Sequence, residues 1–426
     1  MACANPRNAR THDSGQLRQI KNSIEAFGFT SPLLVDEAGG LIAGHGRLTA
    51  ANDLGFAKVP VIVLEHLTDV QKRALMLADN KIALNAGWDM ELLAGELDDL
   101  SSMELDFDLE LTGFEVAEID IIIDGTQDQG SGEAEVAPVP NSDVPIVTQP
   151  GDLWHLGPHR VFCGNARSLT DFAALLDGCQ AAMVFTDPPY NVPIAGHVSG
   201  NGKARHREFF EASGEMTPAA FAAFLDEGLG NISQFCRDGA VSFVCIDWRH
   251  MGELLEAGQR AFDEFLNLCV WAKTNGGMGS LYRSQHELVF VFRKGKAQHR
   301  NNVRLGRYGR NRTNVWTYPG VNTFREGRME ELSAHPTAKP VAMIRDAILD
   351  VTKRGEVVLD PFLGGGATLM AAEQSGRVAY AMDIDPAYVD VALRRWRKAT
   401  GQEPRRASDD RTLASLEAEK LEEVSG

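Results

Sequence analysis

An acid, two prolines and an aromatic ring follow one another at Asp187-Pro188-Pro189-Tyr190, directly after Thr186 and the apolar run Ala181–Phe185. The run is short, bounded and apolar enough to be a buried strand, so the tetrapeptide falls where that strand must end. Proline has no N–H and holds φ at about −65°, so the pair makes a stiff loop with a carbonyl beside the acid. The Asp187 carboxylate and the Pro188 carbonyl are then two acceptors, and Tyr190 is a flat surface for stacking. An exocyclic amino group on a planar ring needs those groups. Its lone pair is delocalised into the ring, which makes it a poor nucleophile. Hydrogen bonds from its two N–H groups to Asp187 and Pro188 favour pyramidalisation and aim the lone pair at an electrophile. Alone, the four residues also fit a structural proline loop with Tyr190 in a core.

A second stretch far downstream carries its own chemistry: Val357-Val358-Leu359-Asp360-Pro361-Phe362-Leu363-Gly364-Gly365-Gly366-Ala367-Thr368. It reads as strand, acid, glycine turn and helix. A dinucleotide site of G-x-G-x-x-G type is the rival, but after Gly364 and Gly366 the third position holds Leu369. A P-loop is excluded by the missing Gly-Lys-Ser/Thr. The next strand, Val378–Met382, ends in Asp383, about where an acid meets ribose hydroxyls in α/β nucleotide sites.

Asp-Pro-Pro-Tyr followed by a Phe-x-Gly-x-Gly-type loop resembles the amino-methyltransferases that modify adenine N6 or cytosine N4 in DNA. The order, tetrapeptide first and glycine loop last, is similar to the β class, and the resemblance covers roughly residues 150–400. It implies an α/β fold, a Rossmann-like and mostly parallel sheet, with S-adenosylmethionine as cofactor and no metal. It implies in-line displacement at the sulfonium methyl, with the target base flipped out of the duplex and stacked on Tyr190. Asp187, Pro188, Pro189 and Tyr190 become the catalytic set. Asp360 suits the methionine amino group, Phe362 covers the cofactor, and Pro361, Gly364, Gly366 and Thr368 complete the loop, with Asp383 on the ribose. Asn165 is expected near the cofactor's adenine, where relatives usually carry Asp. His335-Pro336-Thr337-Ala338-Lys339-Pro340 resembles the family's H-P-T-x-K-P segment, which places His335, Pro336 and Lys339 on the cofactor.

The elements that position these groups alternate as strand and helix from Gly151 to about residue 400, with Asp247-Trp248-Arg249-His250 closing the strand Ala240–Ile246. Between Leu288 and Arg325 there are nine Lys or Arg and no acid. Arg300, Asn302, Arg304, Arg307, Arg310, Arg312 and Asn314 are of the types that read base edges and neutralise phosphates, so target recognition is placed at about 275–330. A solubilising basic loop is the bland alternative. The net charge of −17 does not oppose a DNA partner. Between Lys81 and Arg160 there is no Lys or Arg but 18 Asp and Glu, and removing that block leaves 42 basic against 41 acidic residues.

The N-terminal region reads as helix (Leu17–Phe27), hairpin (Pro32–Ala43), the turn Gly44-His45-Gly46-Arg47, helix, strand, and a long helix from Thr68 to Leu84. Strand, Gly-His-Gly-Arg, helix resembles the ParB/sulfiredoxin-like superfamily, a small α+β domain in which this turn lines a nucleotide or phosphate site. Sulfiredoxin chemistry is disfavoured, because His45 stands where its cysteine lies. The expected organisation is a ParB-like domain at 1–85, an acidic helical extension at 86–125, a linker at 126–150, the methyltransferase domain at 151–400 and a charged, frayed tail at 401–426. The acidic extension reads first as a solvated face; a DNA mimic or a basic-partner contact is the sharper alternative. Six scattered cysteines without a C-x-x-C pair, no long apolar run and no signal-peptide pattern suit a bacterial or phage-encoded cytoplasmic protein.

The chain is thus expected to be a site-specific DNA methyltransferase. Asp-Pro-Pro-Tyr in place of Ser-Pro-Pro-Tyr favours adenine N6 over cytosine N4, as a tendency of the family. The alternatives are the cytosine-N4 enzyme, an RNA or protein methyltransferase, and a ParB-like DNA-binding or regulatory protein with an inactive methyltransferase half. Partners are double-stranded DNA, with room for a nucleotide at the N-terminal domain and for a homodimer. No restriction-nuclease motif is present, which favours an orphan enzyme over a fused restriction system.

Overall fold

The computed structural model describes residues 5, 8–103, 105–126, 140, 144–191, 214–274, 276, 281–303, 312–320 and 339–425. The chain divides into two compact units, residues 1–128 and 129–426.

In the first unit, helix α1 (Ser14–Phe27) stops where Gly28 takes φ 77° and its N–H returns to the Ile24 carbonyl. A three-stranded sheet has the order β2 (Leu41–Ala43), β1 (Leu33–Val35), β3 (Val61–Val63), antiparallel then parallel. Leu33, Val35 and Leu41 form its core. Helix α2 (His45–Asp53) follows the second strand, and α3 (Asp69–Ala83) opens on a capping box between Thr68 and Gln71. Two more helices, α4 (Met90–Ser102) and α5 (Val116–Thr126), pack through Ala94, Leu97, Ile119, Ile122 and Ile123, with Glu91, Glu96, Asp98 and Asp99 of α4 exposed and Asp120 of α5 buried.

The second unit is built on ten strands: β4 (Leu153–Leu156), β5 (His159–Cys163), β6 (Ala181–Thr186), β7 (Cys236–Ile246), β8 (Glu264–Lys273), β9 (His286–Arg293), β10 (Val315–Tyr318), β11 (Val357–Asp360), β12 (Val378–Asp383) and β13 (Arg405–Arg406). Their order is β10-β8-β9-β7-β6-β11-β12-β5-β4-β13. The five central strands β7-β6-β11-β12-β5 run parallel, and antiparallel pairs flank them on both sides. A strand covered on both faces reads as a continuous apolar run, which is why Ala181–Thr186 is buried at every position.

Alternation along the strands divides the core in two. Met183, Phe185, Phe243 and Ala381 face α9 (Val341–Val351), α10 (Ala367–Gln374) and α11 (Pro386–Thr400). Val184, Val244 and Met382 face α6 (Leu169–Leu176), α7 (Pro218–Gln234) and α8 (Met251–Ala261). The result is a helix–sheet–helix sandwich, the architecture that parallel strands with helical crossovers require.

The charged tail expected after residue 400 is a folded element. Short strand β13 pairs with β4, and α12 (Leu413–Ser425) buries Leu413 and Leu416 in the core. Arg394 and Arg397 both reach Glu417, tying α12 to α11, while Arg405, Arg406, Arg411 and Lys420 pair with acids of the segment itself. Leu413→Ala should lower the unfolding free energy of this unit by about 2–5 kcal/mol in urea titrations. A frayed tail would register less than about 0.5 kcal/mol.

Candidate functional site

Parallel strands deliver their carboxyl ends to one edge of the sheet, where ligand sites of α/β folds collect. Three acids end three neighbouring strands on that edge: Asp187 after β6, Asp360 on β11 and Asp383 on β12. Asn165, just beyond β5, completes the row.

Asp360 is 4% exposed and accepts hydrogen bonds from the Thr186 hydroxyl (2.9 Å), the Phe362 N–H (3.1 Å) and Thr368. Burial pushes its carboxyl up to about 7 against those three neutral donors. Thr186, not singled out as a site residue from sequence, therefore ties the end of β6 to the acid of β11. Asp383 is likewise pushed up by burial, to about 6, although the Gly364 and Asp385 N–H groups donate to its two oxygens at 2.9 Å each. Gly364 (φ 51°) and Gly366 (φ 79°) let the loop fold back onto β12, and Gly366 caps α10. A Cβ on Gly366 would stand 3.0 Å from that of Ala392. Pro361 is buried and half-exposed Phe362 lies against Phe224 with ring centres 6.0 Å apart. The Asn165 side-chain oxygen accepts from the Arg167 N–H at 2.8 Å.

Asp187 and Tyr190 are half-buried, and the Tyr190 hydroxyl donates to Asp187 Oδ1 at 2.5 Å. Lys339 Nζ lies 2.5 Å from Asp187 Oδ2, 2.9 Å from Glu287 Oε2 and 3.1 Å from the Tyr190 hydroxyl. Lys273 pairs with the other Glu287 oxygen. Burial raises the Asp187 carboxyl and Lys339 pulls it back, while the buried Glu287 is held well below the carboxylate range by Lys339 and Lys273. Lys339, expected on the cofactor, thus has its nearest described partners in the catalytic set. Glu287 was not read as a site residue; its signal was one acid opening the apolar strand Glu287–Phe292.

Two residues expected on DNA are engaged inside the fold. Asn302 is 6% exposed, and its amide donates to the Leu349 and Thr352 carbonyls at 2.7 and 2.8 Å. The Arg312 guanidinium pairs with Asp350 and Asp346 at 3.0 Å each and donates to the Tyr318 hydroxyl. Both anchor their segment to α9, so the structure corrects their assignment to DNA. Asn314 is exposed and donates to the Leu268 carbonyl, and Arg300 is half-buried. Arg304, Arg307, Arg310, His335 and Pro336 lie outside the described residues, as do 275, 277–280, 304–311 and 321–330 of the expected recognition stretch.

In the N-terminal unit, Gly44 takes φ 97° at the start of α2, where a Cβ would meet Leu33 at 2.6 Å. A cleft beside it is lined by Asn8, Arg10, His12, Gly44, His45, Gly46 and Arg47, among others. Burial lowers the His45 imidazole. Arg47 donates to the Ser31 carbonyl at 3.0 Å. Among the described residues no group of His, Cys, Asp and Glu is placed to hold a metal, and no helix is long and apolar enough to cross a membrane.

The Asp360 charge is disfavoured in the fold, so its contribution to stability is most favourable below the ordinary carboxylate value near 3.8 and declines as pH rises toward about 7. Asp360→Asn should flatten that decline between about pH 4 and 7 in the unliganded protein, read from denaturation midpoints at each pH.

Residues 181–394 match the N6/N4 DNA methylase family, residues 2–81 the ParB N-terminal domain and residues 91–150 the ParB-methyltransferase HTH domain. The ParB-like nuclease domain-containing protein YnaK of Escherichia coli (strain K12) is 56% identical over 66 residues, 16% of this chain and 76% of that protein. Type II methyltransferase M.HpaI of Haemophilus parainfluenzae is 23% identical over 251 residues, 55% of this chain and 73% of that one. DNA adenine methyltransferase YhdJ of Escherichia coli (strain K12) is 39% identical over 82 residues, 19% and 26% of the two chains. Half of the chain, including the Asp187 tetrapeptide and the Asp360 glycine loop, matches one family; the chain belongs to the S-adenosylmethionine-dependent N6/N4 DNA methylases, with a ParB-like N-terminal domain.

Proposed function

We propose that this chain is a site-specific DNA methyltransferase acting on the N6 amino group of an adenine flipped out of the duplex. The observation that carries the proposal is the hydrogen bond from Thr186 to Asp360, which sets the acid for the target amine and the acid of the glycine loop on adjacent strand ends. Asp360 fits a cation: it is a buried acid whose named partners are neutral donors. It would hold the cofactor's ammonium, with Asp383 toward the ribose and Phe362 and the Gly364–Gly366 turn against the remainder. S-adenosylmethionine supplies an electrophilic methyl group on a sulfonium.

Asp187 and the Pro188 carbonyl accept the two N–H bonds of the target amine and direct its lone pair. Burial strengthens Asp187 as an acceptor, because it raises the cost of leaving the carboxylate without a donor. Tyr190 stacks on the flipped base. Adenine is favoured over cytosine by Asp, in place of Ser, at the head of the tetrapeptide, and by the similarity to YhdJ. Asn165, Pro361 and Thr368 complete the proposed cofactor site, with Lys339 at its boundary with the catalytic residues. Arg300, Arg304, Arg307, Arg310 and Asn314 remain the proposed DNA contacts.

The cleft at Gly44-His45-Gly46-Arg47 supports a second, separate reading, a nucleotide phosphate held by Arg10, Arg47 and the α2 N-terminus. Calorimetric titration with a panel of nucleoside triphosphates should show binding to the wild type that weakens at least about tenfold in Arg47→Ala, given about 1.5–3 kcal/mol for a charge-assisted hydrogen bond.

Unmethylated DNA incubated with the protein and labelled S-adenosylmethionine should yield labelled N6-methyladenine by nucleoside mass spectrometry, and Asp187→Ala should yield none. Label in N4-methylcytosine would move the target to cytosine. Cofactor binding without label on any DNA would favour an RNA target or a regulatory role.

A further inference from the structure

The Asp187 carboxylate has a donor on each oxygen, the Tyr190 hydroxyl on Oδ1 and the Lys339 ammonium on Oδ2, both at 2.5 Å. Each oxygen keeps a second lone pair, yet both donors compete with a target amine for the same two oxygens, and a donor that gives way needs another acceptor. Displacement is costly in a buried site unless the displaced donor has another acceptor, since an unmade buried hydrogen bond forfeits its full desolvation cost. One oxygen is within reach of both donors: Glu287 Oε2 lies 2.9 Å from Lys339 Nζ and 3.2 Å from the Tyr190 hydroxyl.

Resting on the methyltransferase reading above, we propose that Glu287 is a positioning residue that receives the Lys339 ammonium and the Tyr190 hydroxyl when the target amine takes Asp187. Its position supports the role. Glu287 is the second residue of β9, which runs antiparallel to β7, so the strand's amino end meets the carboxyl edge on which Asp187 lies. It is 6% exposed, and Lys273 holds its other oxygen, leaving Oε2 directed at the exchange. Lys273 and Lys339 both stand near the Trp271 ring, 4.6 and 5.9 Å from its centre. That side of the cluster is therefore closed by an aromatic wall.

The test uses the full-length protein, DNA from a strain lacking adenine-N6 and cytosine-N4 methylation, and tritiated S-adenosylmethionine in single turnover. Glu287→Gln should slow methyl transfer by about 10- to 100-fold, the kinetic equivalent of one or two unmade buried hydrogen bonds. Affinity for DNA and cofactor should stay within about twofold, because the residue acts only when Asp187 is released. Lys339→Met in the Glu287→Gln background should recover at least about fivefold, since the charged one of the two donors that need receiving is gone.

The acid limb of the rate profile supplies a readout that mere loss of packing does not move. The groups facing Glu287 are Lys273 of β8, Lys339, Asp187, Tyr190 and, behind them, Cys245 of β7. Without the Glu287 charge, Lys339 holds Asp187 lower, so the limb should shift to lower pH in Glu287→Gln. A variant within twofold of wild type, or a double variant no faster than Glu287→Gln with an unmoved acid limb, overturns the inference. Absence of methyl transfer in the wild type overturns the methyltransferase reading itself and this inference with it.

Discussion

Charge taken out of water must be compensated, and the carboxyl edge of the central sheet is organised around that requirement. Lys339 bridges Asp187 and Glu287 there, and Lys273 closes the set through the other Glu287 oxygen. Two acids and two bases give a neutral cluster whose members are each costly to bury alone. The same arrangement bears on the chemistry, because both Asp187 oxygens already accept a bond.

Asp360 stands apart from that cluster in its surroundings. Its partners are neutral, and its charge is correspondingly disfavoured. The two acids lie on neighbouring strands joined by Thr186, yet one is balanced by an ammonium and the other is left with neutral donors. That contrast is chemically useful. The acid with neutral partners suits a cationic ligand, and the acid paired to Lys339 suits exchange with the neutral amine of a base. The glycine loop fits the scheme through conformation, since left-handed φ at Gly364 accompanies a hydrogen bond from its N–H to Asp383.

The basic stretch after Leu288 shows how composition and geometry can separate. Arg and Asn are the residue types that read bases, but Asn302 and Arg312 turn inward to the carbonyls and carboxylates of α9. A guanidinium meets Asp350 and Asp346 with the same fork that would grip a phosphate. The C-terminal segment shows the converse, because Leu413 and Leu416 draw a highly charged stretch into the core.

The place of the Asp187 tetrapeptide at a strand end, the glycine loop, the α/β alternation and the N-terminal Gly-His-Gly-Arg turn were legible in the sequence. Each depends on local chemistry: proline rigidity, glycine's access to positive φ, and apolar runs of strand length. The role of Glu287 was not legible. It precedes Lys339 by 52 positions and follows Asp187 by 100, and only the antiparallel entry of β9 beside β7 brings its carboxylate to that edge. The same holds for Lys339, read from its motif as a cofactor ligand and found on Asp187, and for Thr186 on Asp360. Local sequence determines which groups can bond; strand order and direction determine which of them meet, and in a buried site the meeting sets their charge.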